Sequence, residues 1–183
     1  ETSIDYCWLG LLGRGYSTIL YISHTNPIQS KSIMRLFDHE YTIPHPWHTV
    51  TAASWQKYPN PEWTPHITHV DYLSRHIDSH GLLVTERLLT CQQNVPMFLT
   101  RLLGLEGAPA SIVYEKTVVD PREKVMTMHT QNLTFSQFMR VQERCVYTQD
   151  PHNPSITKFG QECRIKSVYG WTEWLAERVE EFC

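Results

Sequence analysis

Ten histidines and five cysteines are the side chains here with the most chemistry to offer, and their spacing decides whether they offer it. His45 with His48, His66 with His69, and His76 with His80 are the near pairs a metal would use. His66 and His69 fall in a β-rich stretch, where residues three apart point to opposite faces. No His-Glu-x-x-His run sets two imidazoles and a base on one helix face. The cysteines, Cys7, Cys91, Cys145, Cys163 and Cys183, are odd in number and widely spaced, with no Cys-x-x-Cys pair, so free and mostly buried thiols are expected. A cysteine nucleophile needs a neighbouring base and a lowered pKa, and nothing around Cys91, Cys145 or Cys163 supplies either. The residue types therefore point away from an enzyme, a metal site or a bound cofactor.

The elements that would have to position any site are bounded by size and composition. A chain of 183 residues fits one domain. With 41% hydrophobic and 19% charged residues it is expected to fold. A formal charge of -3 and a pI near 6.4 argue against a general basic field for nucleic acid, so any anionic ligand must be met by local cations. No apolar run approaches the roughly 20 residues that span a bilayer. Val95 to Leu105 is the longest and carries Arg101.

Residues 1–33 show no sustained period and mix Gly, Ser and aromatics, so they are read as a leader outside a fold that begins at Met34. A strand over Arg35 to Ile43 leads into a short helix with Pro46 in its first turn. Trp47, Val50 and Ser54 share one helix face, and the helix ends before Tyr58-Pro59-Asn60-Pro61. His66 to Ile77 and Leu82 to Thr90 form a hairpin across Asp78-Ser79-His80-Gly81, where Gly81 supplies positive φ. Ser111 to Val119 and Lys124 to Thr130 form a second across Asp120-Pro121-Arg122-Glu123. Phe138 to Tyr147 and Ile156 to Tyr169 follow across Asp150-Pro151-His152-Asn153-Pro154. The count reaches seven strands. Trp171, Trp174, Leu175, Arg178, Val179 and Phe182 then repeat at helical spacing, but the sequence stops at Cys183 after about three turns. The expected fold is α+β: a curved antiparallel sheet of about seven strands with helices packed on one face.

Between the first two hairpins runs Val95-Pro96-Met97-Phe98-Leu99-Thr100-Arg101-Leu102-Leu103-Gly104-Leu105-Glu106-Gly107. A helix apolar on most sides is either a core helix or one that touches lipid, and flanking glycines would let it move as a lid. Composition leaves both readings standing.

Five short motifs occur in order: Tyr58-Pro59-Asn60-Pro61 after a short helix, His66 five residues later, Thr85-Glu86-Arg87-Leu88-Leu89, Val119-Asp120-Pro121, and Asn132-Leu133-Thr134. Each is weak alone. Together, with Met34-Arg35-Leu36-Phe37 and His45-Pro46-Trp47 ahead of them, they resemble the PRELI-like family over Met34 to Cys183, the yeast Ups and slowmo branch most of all. The resemblance implies a seven-stranded sheet, a long C-terminal helix and a lidded lipid pocket. It also implies transient contact with a membrane surface and a small helical partner with twin cysteine motifs, both in the mitochondrial intermembrane space. The implied cargo is phosphatidylserine or phosphatidic acid, and the Pro-Trp opening with Thr85-Glu86-Arg87-Leu88 leans to phosphatidylserine.

Physically, a headgroup site needs a few cations in a concave apolar pocket, where low dielectric strengthens each bond to phosphate. By resemblance these are Lys57, His66, Arg178 and, if its strand face is inward, Arg87. Val95, Met97, Phe98, Leu99, Leu102 and Leu103 would form the lid and meet the acyl chains. Blander readings stand beside these: Lys57 as a cation stabilised at a helix end, His66 as a strand-edge hydrogen bonder, Arg87 and Arg178 as surface ion pairs. The chain departs from some relatives at Thr90 to Asn94, where they carry lysines, and in its short final helix. A protein-interaction module using residues 95–105, or a truncated inactive form, are the competing functions.

Overall fold

The computed structural model describes residues 33–58, 62–92, 110–137 and 139–167. Seven strands are present among them: β1 (Ile33–Ile43), β2 (Ile67–Ile77), β3 (Leu83–Cys91), β4 (Ser111–Asp120), β5 (Val125–Asn132), β6 (Met139–Gln149) and β7 (Thr157–Ser167), with one helix, α1 (Trp47–Gln56). The expected strands all appear, with ends shifted by a residue or two. The segment 95–105, the final helical pattern and residues 1–32 of the leader lie outside the described residues, while Ile33 opens β1 opposite Lys166.

The sheet is antiparallel in the order β1-β7-β6-β5-β4-β3-β2. Successive strands from β2 to β7 are neighbours, and the β2–β3 and β4–β5 turns are set by their residues. Gly81 adopts φ 78°, and the Asp78 carboxylate accepts from the backbone N–H of His80 and Leu82, both at 2.9 Å. In the second turn Asp120 accepts from the N–H of Arg122 at 2.9 Å, and Lys124 closes the turn in the left-handed region at φ 54°. β1 instead pairs with β7, so the chain must pass from one sheet edge to the other to start β2, and α1 makes that crossing.

α1 is laid on the sheet by its aromatic start. Pro46 sits one position ahead of the first turn, at the N-cap, with φ -59°. Trp47 is buried and its indole Nε1–H donates to the Tyr147 carbonyl at 3.1 Å. Ser54, on the expected face, reaches Met128 Sδ at 3.6 Å. The Thr157 hydroxyl ties the turn before the helix to β7 by donating to the His45 carbonyl at 2.8 Å.

Burial alternates along the central strands, as a sheet with one covered face requires. One apolar cluster lies under α1: Trp47, Val119, Met126, Met128, Cys145, Tyr147 and Phe159. A second gathers Tyr58, Ile67, Leu89, Cys91 and Val113. Between these two clusters the inner face is not apolar.

Candidate functional site

A polar row crosses the inner face, and strand register builds it. Arg87 pairs with Glu115, Glu115 with Thr130, Thr130 with Glu143, and Glu143 with Cys163. Each member keeps phase with apolar residues on its own strand: Glu115 with Val113 and Val119, Glu143 with Val141, Cys145 and Tyr147. Period-two geometry therefore turns these carboxylates inward with the core.

Arg87 and Glu115 form one unit. The guanidinium donates to Glu115 Oε1 from Nε at 3.0 Å and from its terminal nitrogen as well. Tyr58 donates its hydroxyl to Oε2 at 2.5 Å and Thr117 donates to Oε1 at 3.2 Å. The rings of Tyr58, Trp55 and Tyr72 lie 4.7, 5.1 and 5.7 Å from the guanidinium carbon. Burial works against the charge of Arg87, the Glu115 carboxylate outweighs it, and the pKa rises. Arg87 does face inward, but its charge is committed to Glu115.

Glu143 is held differently. It is buried and accepts from the Gln161 side-chain amide and from Thr130 at 3.3 Å. Burial pushes its pKa up, while Gln161, Lys57 and Thr130 pull it back.

Lys57 follows the last residue of α1 at the C-cap, yet it is only 5% exposed. Its carbonyl accepts from the Thr64 hydroxyl at 3.0 Å, and its ammonium lies 4.5 Å from the centroid of the Tyr58 ring. A cation at a helix end is usually solvated. Here the chain turns at Tyr58 and directs Lys57 into a cleft shared with Glu143. That cleft is small and largely open to solvent, and Tyr58, Ile67, Leu89, Val113, Met128 and Cys145 complete most of its wall. Among the described residues the cavity is therefore largely apolar, with Lys57, Glu143, Thr130 and the Tyr58 hydroxyl as its polar features.

His66 stands at the foot of β2, its carbonyl accepting from Gln92 at 2.8 Å. The imidazole is half-buried, and its Nε2 has no hydrogen-bond partner among the described residues. Burial lowers its pKa, so near neutral pH it would offer a hydrogen bond rather than a charge. Arg178 and the lid and acyl-chain residues Val95, Met97, Phe98, Leu99, Leu102 and Leu103 lie outside the described residues. β3 ends at Cys91, which lines the cleft beside Ile67, and β4 begins at its partner Ser111.

Sequence reasoning had singled out Lys57, His66 and Arg87 but not Glu115, Glu143, Thr130 or Tyr58. A signal existed for Glu143, which shares the phase of Val141, Cys145 and Tyr147 on β6; β4 carried none, because Ile112, Tyr114 and Val118 lie on its outward phase and Ser111 and Thr117 on the phase of Glu115.

A sequence profile of the PRELI-like family matches residues 48–183. "Protein slowmo homolog" of Dictyostelium discoideum is 39% identical over 146 residues, covering 79% of this chain and 60% of that protein. "Protein UPS2, mitochondrial" of Saccharomyces cerevisiae is 40% identical over 151 residues, covering 81% and 64%. "PRELI domain-containing protein 1, mitochondrial" of Gallus gallus is 34% identical over 138 residues, covering 75% and 62%. The chain spans about three fifths of the length of these relatives.

Proposed function

The chain belongs to the PRELI-like family, and on that footing we propose that it carries single phospholipid molecules between mitochondrial membranes across the intermembrane space. Phosphatidylserine is the favoured cargo and phosphatidic acid the second. No covalent bond is made or broken.

The observation that carries the reading is Lys57, a buried cation in the wall of an apolar cleft. A charge is costly to bury and gains most when it meets an anion out of water, where a charge-assisted hydrogen bond to phosphate is at its strongest. Ile67, Leu89, Val113 and Met128 offer acyl chains an apolar wall. Two relatives bear the word mitochondrial in their names.

In the proposed cycle the protein touches a membrane, the segment around Met97, Phe98, Leu102 and Leu103 opens, and a headgroup settles against Lys57, with His66 and Arg178 as further contacts. Val95 and Leu99 complete the lid. A small helical protein with twin cysteine motifs is the proposed partner. Arg87 serves by neutralising Glu115 in place.

The test is transfer of fluorescent phosphatidylserine and phosphatidic acid between liposomes by the full chain, with and without such a partner, beside Lys57→Met and Lys57→Glu. Loss of one charge-assisted bond should slow transfer about tenfold in Lys57→Met, and further in Lys57→Glu. A folded protein that moves no lipid would instead favour a protein-docking role for residues 95–105.

A further inference from the structure

Four charged side chains are buried among the described residues: Lys57, Arg87, Glu115 and Glu143. Fully ionised, they sum to zero. A site built only to hold a phosphate would be expected to carry a surplus of positive charge; among the described residues this cleft sets one carboxylate, Glu143, beside its one cation, Lys57.

The two carboxylates differ in what they have left to give. A carboxylate offers about four lone-pair sites. Glu115 already accepts four bonds, from Arg87 twice and Thr117 at Oε1 and from Tyr58 at Oε2. Glu143 uses two, on Gln161 and Thr130. Glu115 is also walled behind Arg87 and Tyr58, whereas Glu143 and Lys57 both line the cleft. Only the second pair faces a ligand.

Resting on the lipid-carrier reading above, we infer that Lys57 and Glu143 act as a zwitterion-matched pair. The Lys57 ammonium takes a phosphate oxygen and the Glu143 carboxylate takes a primary ammonium, so Glu143 selects phospholipids whose headgroup bears an amine. Such a headgroup brings its own cation to the remaining lone pairs of Glu143. An amine-free headgroup brings none, and leaves a buried carboxylate beside an added anion at low dielectric. The burial that pushes Glu143 toward its neutral form is opposed by Lys57, and a bound ammonium opposes it further. Phosphatidylserine and phosphatidylethanolamine share the required chemistry; phosphatidylglycerol and phosphatidic acid lack it.

The experiment presents the full chain with vesicles holding these four lipids in equal amounts, and identifies the lipid retained by native mass spectrometry. The wild-type protein should hold the two amine-bearing lipids over the two amine-free ones by about tenfold, the worth of one charge-assisted hydrogen bond. In Glu143→Gln that ratio should fall toward one. Phosphatidylglycerol held as readily as phosphatidylserine by the wild-type chain overturns the inference with no variant needed. So does a Glu143→Gln protein that keeps the wild-type ratio, or one that loses all four lipids equally, which marks a structural role. A wild-type chain that retains no lipid removes the carrier reading itself, an outcome distinct from retention without selectivity. The serine and ethanolamine arms separate the two amine sources.

Discussion

Replacing Arg87 by methionine removes the guanidinium from a fully buried ion pair while keeping most of the side-chain volume. Glu115, 0% exposed, would be left with two hydroxyl donors, Tyr58 and Thr117, and no countercharge. At an effective dielectric of about 20, two charges 4 Å apart interact by about 4 kcal/mol, and removing one partner of a buried pair typically costs about 3 to 5 kcal/mol. For a chain of this size each kcal/mol lowers Tm by roughly 2 to 4 °C, so the variant should melt roughly 6 to 20 °C below the wild type. The assay is a double-mutant cycle by urea denaturation with Arg87→Met, Glu115→Gln and the double variant. Glutamine leaves no charge to strand: its oxygen still accepts from one hydroxyl and its amide N–H can donate to the other, so the double variant should recover about half the loss. A loss under about 1 kcal/mol in Arg87→Met, or strict additivity in the cycle, would show that Glu115 does not depend on this partner and refute the reasoning.

Glu143 should give the protein an inverted pH dependence. Its folded pKa is raised by burial above its ordinary 4.5, so its contribution is fully present below 4.5 and is lost as pH rises toward the folded value. Stability of the wild type relative to Glu143→Gln, from urea melts at pH 4.5 and 7, should therefore be lower at pH 7; a difference flat with pH refutes this. Gly81→Ala should cost about 1 kcal/mol, since φ 78° strains any residue with a Cβ. Gly160→Ala, where a Cβ meets nothing within 4 Å at ordinary φ, should be near neutral in the same denaturation assay. Cys91, Cys145 and Cys163 are buried, with burial lifting the Cys91 thiol to about 11 and Cys145 well above 9.0. Maleimide or iodoacetamide should therefore label them in urea and spare them in the native protein, as read by peptide mass mapping.

The fold was legible because its signals are local. Asp78 to Gly81, Asp120 to Glu123 and Asp150 to Pro154 punctuate period-two stretches, and a strand between two turn signals has few alternatives. The missed left-handed residue, Lys124, shows the limit, because nothing about a lysine announces positive φ. The site was legible in part. Lys57 and His66 were named by motif, and Arg87 by motif with its face left conditional. Glu115 and Glu143 went unnoticed because a charge in a strand is ordinarily read as belonging to the outer face; phase would have placed Glu143 inside, whereas β4 is apolar on both phases and only the sheet shows which way Glu115 points.

What the sequence determined by itself was the inventory: seven extended segments, one short helix after Pro46, turns where Gly, Pro and Asp demand them, and cations too few for a general basic surface. Tertiary structure decided which of those residues meet. β1 closing on β7 sends α1 across the inner face, and that crossing carries Lys57 into a cleft with Glu143, 86 positions away in the chain. Antiparallel register sets Arg87, Glu115, Thr130 and Glu143 side by side in one row. The reason is physical. Turn and helix preferences act over a few residues, whereas the meeting of a buried cation with a particular carboxylate is settled only when the whole sheet has formed and excludes water.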